Sequence, residues 1–129
     1  MKKLILILFA MVGLSICGKA QDNDSFTNMN VESFANYITN DSVQLLDVRM
    51  VEEFDDGHLV GAENIDFFDL DFIVRAQETL DKSRPVAVYC RSGKRSANAA
   101  QKLSEQGYNV INLEGGIMEW IKENKPIAR

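Results

Sequence analysis

The sequence predicts an α/β protein built on a parallel sheet with helices over both faces. Three observations carry this. Short β-rich apolar runs, Val43–Val48 (VQLLDV), Val86–Tyr89 (VAVY) and Val110–Leu113 (VINL), alternate with segments of helical period. Each run gives way to a polar or glycine-rich turn: Asp47-Val48-Arg49, Cys90 to Arg95, and Glu114-Gly115-Gly116. Parallel α/β sheets bind ligands outside the carboxyl ends of their strands, so these three turns are expected at one edge. Finally, 129 residues, 46% hydrophobic and 26% charged, suit one domain with a modest core. Internal repeats, low-complexity segments, a GxGxxG spacing and a P-loop are all absent from the sequence.

Taken in order, residues 21–29 read as a polar leader and residues 30–129 as the folded domain. Asn30 is placed to cap a short helix in which Val31, Phe34, Ala35 and Ile38 share one face, and Thr39-Asn40-Asp41 ends it. Val43–Val48 is a core strand delivering Asp47 and Arg49 at its C-terminal end. Met50 to Asp56 reads as a short helix stopped by Gly57. His58 to Ala62 reads as a turn, and Glu63 to Asp66 as a short extended piece. Helix resumes over Leu70 to Leu80, with Phe72, Ile73, Ala76 and Leu80 as its apolar stripe, until Asp81 to Pro85 break it. Val86–Tyr89 is a buried strand that stops at Cys90. After the turn Arg91 to Arg95 a helix opens near Ser96, with Ala97, Ala100 and Leu103 toward the core. Gly107 caps it in the left-handed conformation, and Tyr108 is placed for the accompanying apolar contact. Val110–Leu113 is the last long strand, and Glu114-Gly115-Gly116 turns into a final short helix carrying Trp120.

The first twenty residues have the pattern of an export signal: Lys2 and Lys3, an apolar run from Leu4 to Ile16, then Gly18 and Ala20 at a small-residue cleavage site. Cleavage before Gln21 gives a periplasmic or secreted protein, and the apolar run is shorter than the roughly 20 residues of a stable membrane span. A lipid-modified Cys17 is the alternative, against which stands the bulky Ile16 before it. Removing residues 1–20 takes away three of the 14 basic residues and none of the 19 acidic ones, leaving a net charge of −8. Such a chain is unsuited to nucleic acid or an anionic membrane as its main partner. It also leaves Cys90 as the sole cysteine, so no internal disulfide forms, and one His with one thiol makes a protein-only zinc site an unsuitable expectation. No metal and no cofactor are expected.

The informative stretch is therefore Val86 to Gly107. It puts a thiol where a strand turns into a helix, and there the backbone N–H groups of the turn and first helical residues lack intrahelical partners and can form a nest for an anion. Arg91, Lys94 and Arg95 add cationic side chains. A cysteine so placed is expected to ionise below the free value of about 8.5.

Several motifs in fixed order resemble those of rhodanese domains: Asp47-Val48-Arg49, Glu53-Phe54, the run from Gly57 to Ile65, the run from Val88 to Ser96, and Leu113 to Gly116 with Trp120. The resemblance spans about Val31 to Lys125. It implies a rhodanese-like fold, a five-stranded parallel sheet flanked by helices on both faces, and a Cys90 that carries sulfur as a persulfide. It further implies thiosulfate sulfurtransferase activity, with thiosulfate or a persulfide as donor, a thiol or cyanide as acceptor, and a protein acceptor as a further option. Arg91, Ser92, Gly93, Lys94, Arg95 and Ser96 would then bind the donor and the sulfur anion. One departure is Val60, where the family has proline; the position carries no reactive group, so turn rigidity and not chemistry should change.

Around this centre, Asp47 and Arg49 are expected to clamp the sheet edge as an ion pair with Glu53 nearby. His58 is expected to be a hydrogen-bonded turn residue, and Gly115 and Gly116 a turn that lets backbone pass close to the active loop. Other function classes stay open. A persulfide carrier, a thiol redox module or a docking module could use the same cleft. A cysteine phosphatase would use the same thiolate, but those enzymes place the arginine six residues after the cysteine, whereas Arg95 lies five after Cys90.

Overall fold

The computed structural model describes residues 26–129. The expected export segment, the cleavage before Gln21, Cys17 and residues 21–25 of the leader lie outside the described residues. In chain order the elements are β1 (Phe26–Met29), α1 (Val31–Tyr37), β2 (Gln44–Asp47), α2 (Val51–Asp56), β3 (His58–Leu59), β4 (Glu63–Asn64), α3 (Phe72–Thr79), β5 (Val86–Tyr89), α4 (Lys94–Glu105), β6 (Val110–Leu113), α5 (Gly116–Lys122) and β7 (Ile127–Ala128). Five strands form one parallel sheet in the order β1-β6-β5-β2-β4, and β3 pairs antiparallel with β7. Among the described residues no helix is long and apolar enough to cross a membrane.

The central strand β5 explains the two-sided architecture. All four of its residues are buried, and successive side chains of a strand point to opposite faces. Val86 and Val88 join one core with Phe72 and Ala76 of α3 and Ala99, Ala100 and Leu103 of α4. Ala87 and Tyr89 join the other with Val31 and Phe34 of α1 and Ile117 and Trp120 of α5. Each buried valine contributes roughly 1.5–3 kcal/mol by leaving water. Because every neighbour of β5 is parallel to it, the turns after β2, β5 and β6 all emerge at one edge.

Local chemistry sets the element ends. The Asn30 side chain accepts from the Ser33 N–H at 2.9 Å, capping α1 as the sequence suggested. At the end of α4 the Gly107 N–H donates to Ser104 at 3.0 Å and the Tyr108 N–H to Leu103 at 3.2 Å. This is the Schellman pair of bonds, and Leu103 and Tyr108 share a core cluster.

Four expectations need correction. The leader does not run free to residue 29, because Phe26–Met29 is an edge strand paired with β6. Its FTNM sequence has no apolar alternation; main-chain pairing, with Phe26 and Met29 packed on the two cores, makes it a strand. His58 and Leu59 are not turn but strand, since Ile127 and Ala128 return to pair with them. Helix α4 opens at Lys94 and not near Ser96, with the Ala97 N–H already bonded to the Gly93 carbonyl at 3.1 Å. The stripe facing the core is accordingly Ser96, Ala99, Ala100 and Leu103, and Ala97 is only half-buried. The helix expected over Leu70 to Leu80 is trimmed to Phe72–Thr79, leaving Leu70 fully exposed.

Candidate active site

The Cys90 residue, 1% exposed, sits directly beyond the central strand. Its Sγ accepts from the Gly93 N–H at 3.1 Å and from the Ser96 hydroxyl at 3.4 Å. The N–H groups of Ser96 and Ser92 add to the set. Burial alone would push the thiol up. The Ser96 hydroxyl and the N–H groups of Ser96, Gly93 and Ser92 outweigh it, and the thiol lies below its ordinary value. These donors are neutral. Ser92, Gly93 and Ser96 thus converge on the sulfur at the N-terminal end of a helix whose first-turn N–H groups have no partners within the helix.

The backbone reaches this shape because of two glycines. Gly93 has φ +100°, and a Cβ there would lie 2.0 Å from the Glu114 carbonyl oxygen. Gly116 has φ +67°, and its Cβ would lie 2.2 Å from the Arg91 carbonyl oxygen. Both are places where the turn after β6 presses against the Cys90 loop, so Gly116 plays the close-approach role expected of it. The contact is also hydrogen-bonded: the Ile117 N–H donates to the Cys90 carbonyl at 2.9 Å and the Met118 N–H to the Arg91 carbonyl at 3.1 Å. Gly115 abuts its own helix, where a Cβ would meet that of Glu119 at 2.6 Å.

Asn112 is a residue that sequence reasoning missed. From β6 its buried amide donates to the Gly93 carbonyl at 3.4 Å and to Asn28 Oδ1 at 3.0 Å, tying the loop to β1. Its Oδ1 has no partner among the described residues. The available signal was a polar residue inside the apolar run VINL. Tyr89 was likewise read only as strand, yet its hydroxyl accepts from the Leu59 N–H at 3.0 Å and anchors β3.

The three cations beside the sulfur are not equivalent. Arg91 and Lys94 are exposed and have no carboxylate partner among the described residues; Arg91 Nε lies 3.4 Å from Met118 Sδ. Arg95 is held in a bidentate pair, Nη1 to Glu53 Oε1 at 2.8 Å and Nη2 to Oε2 at 3.1 Å, with its guanidinium 5.9 Å from the Phe68 ring centre. Hydrogen bonding from Arg95, helped by the Met50 N–H, holds Glu53 below the usual carboxylate range against its partial burial.

Glu53 therefore hydrogen-bonds the Cys90 loop and reaches the Asp47–Arg49 clamp only through its charge on Arg49. That clamp is complete in itself: Arg49 Nη2 is 2.6 Å from Asp47 Oδ2 and 2.7 Å from the Gly57 carbonyl, while the Arg49 N–H donates to Asp47 Oδ1 at 2.9 Å. His58 donates from Nδ1 to the Phe54 carbonyl at 2.9 Å and stacks on the Phe54 ring at 3.8 Å, the local backbone role expected of it. Among the described residues no group of three or more His, Cys, Asp or Glu is placed to hold a metal ion.

A buried sulfur ringed by fixed neutral donors can stabilise a thiolate. Comparison with known proteins identifies the family. The Rhodanese-like domain family matches residues 30–123. The chain is 38% identical over 102 residues to thiosulfate sulfurtransferase GlpE of Shewanella oneidensis, covering 78% of this chain and 97% of that protein. It is 36% identical over 89 residues to a sulfurtransferase of Allochromatium vinosum, covering 68% and 80%. A crystal structure of a rhodanese-related protein from Thermoplasma volcanium superposes with a TM-score of 0.70 at 31% identity, over 80% of this chain and 98% of that one. With its sheet order, its cysteine loop and these relatives in agreement, the chain belongs to the rhodanese-like domain family.

Proposed function

We propose that the protein is a rhodanese-type sulfurtransferase that moves a sulfane sulfur from a donor such as thiosulfate to a thiol or cyanide through a persulfide on Cys90. The observation that carries this reading is the buried Cys90 Sγ met by the Gly93 N–H at 3.1 Å and the Ser96 hydroxyl at 3.4 Å. In the first half-reaction the thiolate attacks the outer sulfur of thiosulfate; the S–S bond of the donor breaks and its electron pair leaves with sulfite. In the second, the acceptor attacks the outer sulfur of Cys90–S–S⁻ and the thiolate departs. Both anions use the same donors, so the scheme needs no general base and no cofactor. Arg91 and Lys94 at the rim draw the anionic donor inward.

A phosphatase would need donors for three equatorial oxygens in a turn that places Arg95 only five residues after Cys90. Intact-mass spectrometry after thiosulfate treatment separates the two. The expected result is a gain of one sulfur, lost in Cys90→Ser, with negligible hydrolysis of an aryl phosphate. Cys90-dependent phosphate release without sulfur uptake would overturn the reading. We also propose that the protein acts outside the cytoplasm, beginning at Gln21, on the strength of the Lys2-Lys3, Leu4 to Ile16, Gly18 and Ala20 pattern. N-terminal sequencing tests it: a lipid-modified Cys17 or an intact Met1 would contradict it.

A further inference from the structure

Resting on the sulfur-transfer reading, we propose that Glu53 is a specificity-determining residue: by gripping Arg95 it turns the site away from dianionic donors such as thiosulfate and toward monoanionic organic ones, thiosulfonates and organic persulfides. Arg95 stands in the first turn of α4, one residue before Ser96, and its charge acts on the Cys90 sulfur. Its guanidinium fork is filled by both oxygens of Glu53, at 2.8 and 3.1 Å, and Asp66 adds a second carboxylate to its surroundings. Around Arg95 one positive charge thus faces two carboxylates besides the Cys90 thiolate. An incoming dianion finds there a neutralised pair and a further carboxylate, not a free cation.

Apolar side chains share the lip of the site with the exposed Arg91 and Lys94. Phe68, 64% exposed, lies under the Arg95 guanidinium; Met118, 51% exposed, touches Arg91; and Met50, 43% exposed, gives its N–H to Glu53 at 3.1 Å. These three side chains offer contact area to an organic substituent and nothing to sulfite oxygens. The Arg95–Glu53 pair and the lip therefore point to the same donor class. A thiosulfonate reacts as thiosulfate does: the Cys90 thiolate bonds to the sulfane sulfur, the S–S bond breaks, and the electron pair leaves on a sulfinate monoanion in place of sulfite.

The test compares thiosulfate with benzenethiosulfonate, using cyanide as the common acceptor, in the wild type and E53Q. The expected result is that E53Q raises the ratio of kcat/KM for thiosulfate to that for benzenethiosulfonate by about tenfold, the effect of roughly one restored charge near the donor. A second measurement uses the wild type alone, so that it does not depend on folding of the variant. In it the kcat/KM for benzenethiosulfonate should exceed that for thiosulfate. An E53Q ratio within about twofold of the wild type, or a wild-type preference for thiosulfate, overturns the role of Glu53 and leaves sulfur transfer standing. Uptake of sulfur at Cys90 from neither donor overturns sulfur transfer and this inference together.

Discussion

At one edge of the sheet two strands end in charged turns that hold buried charge in opposite ways. After β2, Asp47 and Arg49 are 0% and 5% exposed, and they meet each other at 2.6 Å with the Gly57 carbonyl as a further partner. After β5, Cys90 is buried just as deeply, but its sulfur meets N–H and hydroxyl groups that carry no net charge. Arg91 and Lys94 stand outside, and Arg95 is taken by Glu53. The difference is between a charge that stays and a charge that comes and goes. An ion pair suits the first, since removing either member leaves a bare charge indoors. A ring of neutral dipoles suits the second, because it tolerates thiol and thiolate in turn without a stranded counter-ion.

The contrast breaks first at Arg49. Arg49→Met leaves the Asp47 charge buried without its cation, and it should cost about 3–5 kcal/mol of stability, read as a shift in the urea midpoint. A loss under about 1 kcal/mol would mean that the pair does not fix this edge. Ser96→Ala sharpens the other side. It removes the largest favourable influence on the thiol, so alkylation of Cys90 at neutral pH should slow roughly threefold to tenfold and its midpoint should move to higher pH. The sign in stability follows from the lowered thiol value. The thiolate's contribution is fully present above the unfolded thiol's pKa of about 8.5 and fades as pH falls through the folded value. Wild type and Ser96→Ala should therefore differ most under alkaline conditions. An unchanged alkylation midpoint would mean that the backbone N–H groups suffice. The smallest effect is expected outside both turns. Val60 is 60% exposed at a turn closed by the Ala62 N–H and the Leu59 carbonyl at 3.1 Å, and Val60→Pro should add about 0.4–1 kcal/mol by restricting the unfolded chain. Thermal denaturation reads it, and a lower melting temperature would show that proline does not fit here.

What the sequence made legible was whatever is encoded locally. The central strand, the Asn30 cap, the Gly107 terminus and the placement of Cys90 all rest on neighbours a few residues apart, and each is found where the pattern put it. The two misread strands rest on distant partners: β1 has only four residues of mixed polarity and is a strand because β6 lies beside it, and His58 and Leu59 form β3 because Ile127 and Ala128 return to pair with them. In the site the cluster of Arg91, Lys94 and Arg95 was plain as composition. That Arg95 belongs to Glu53, 42 residues earlier, was not, nor was the reach of Asn112 to Gly93. Pairing across the fold is a property of three-dimensional proximity, and local spacing does not carry it.

The pairing of β1 with β6 also has a consequence in time. Register partners such as Asn28 and Asn112 are 84 residues apart, so this edge closes the longest loop in the sheet and is entropically slow to form. During synthesis β1 emerges before any other strand of the sheet, while its one strand partner is the last of them to be made. Until β6 arrives β1 has nothing to pair with, and until β1 docks the outer edge of β6 stands open. The strand made first is therefore used last, and the Asn112 that holds the Gly93 carbonyl acquires its second partner only when this edge closes.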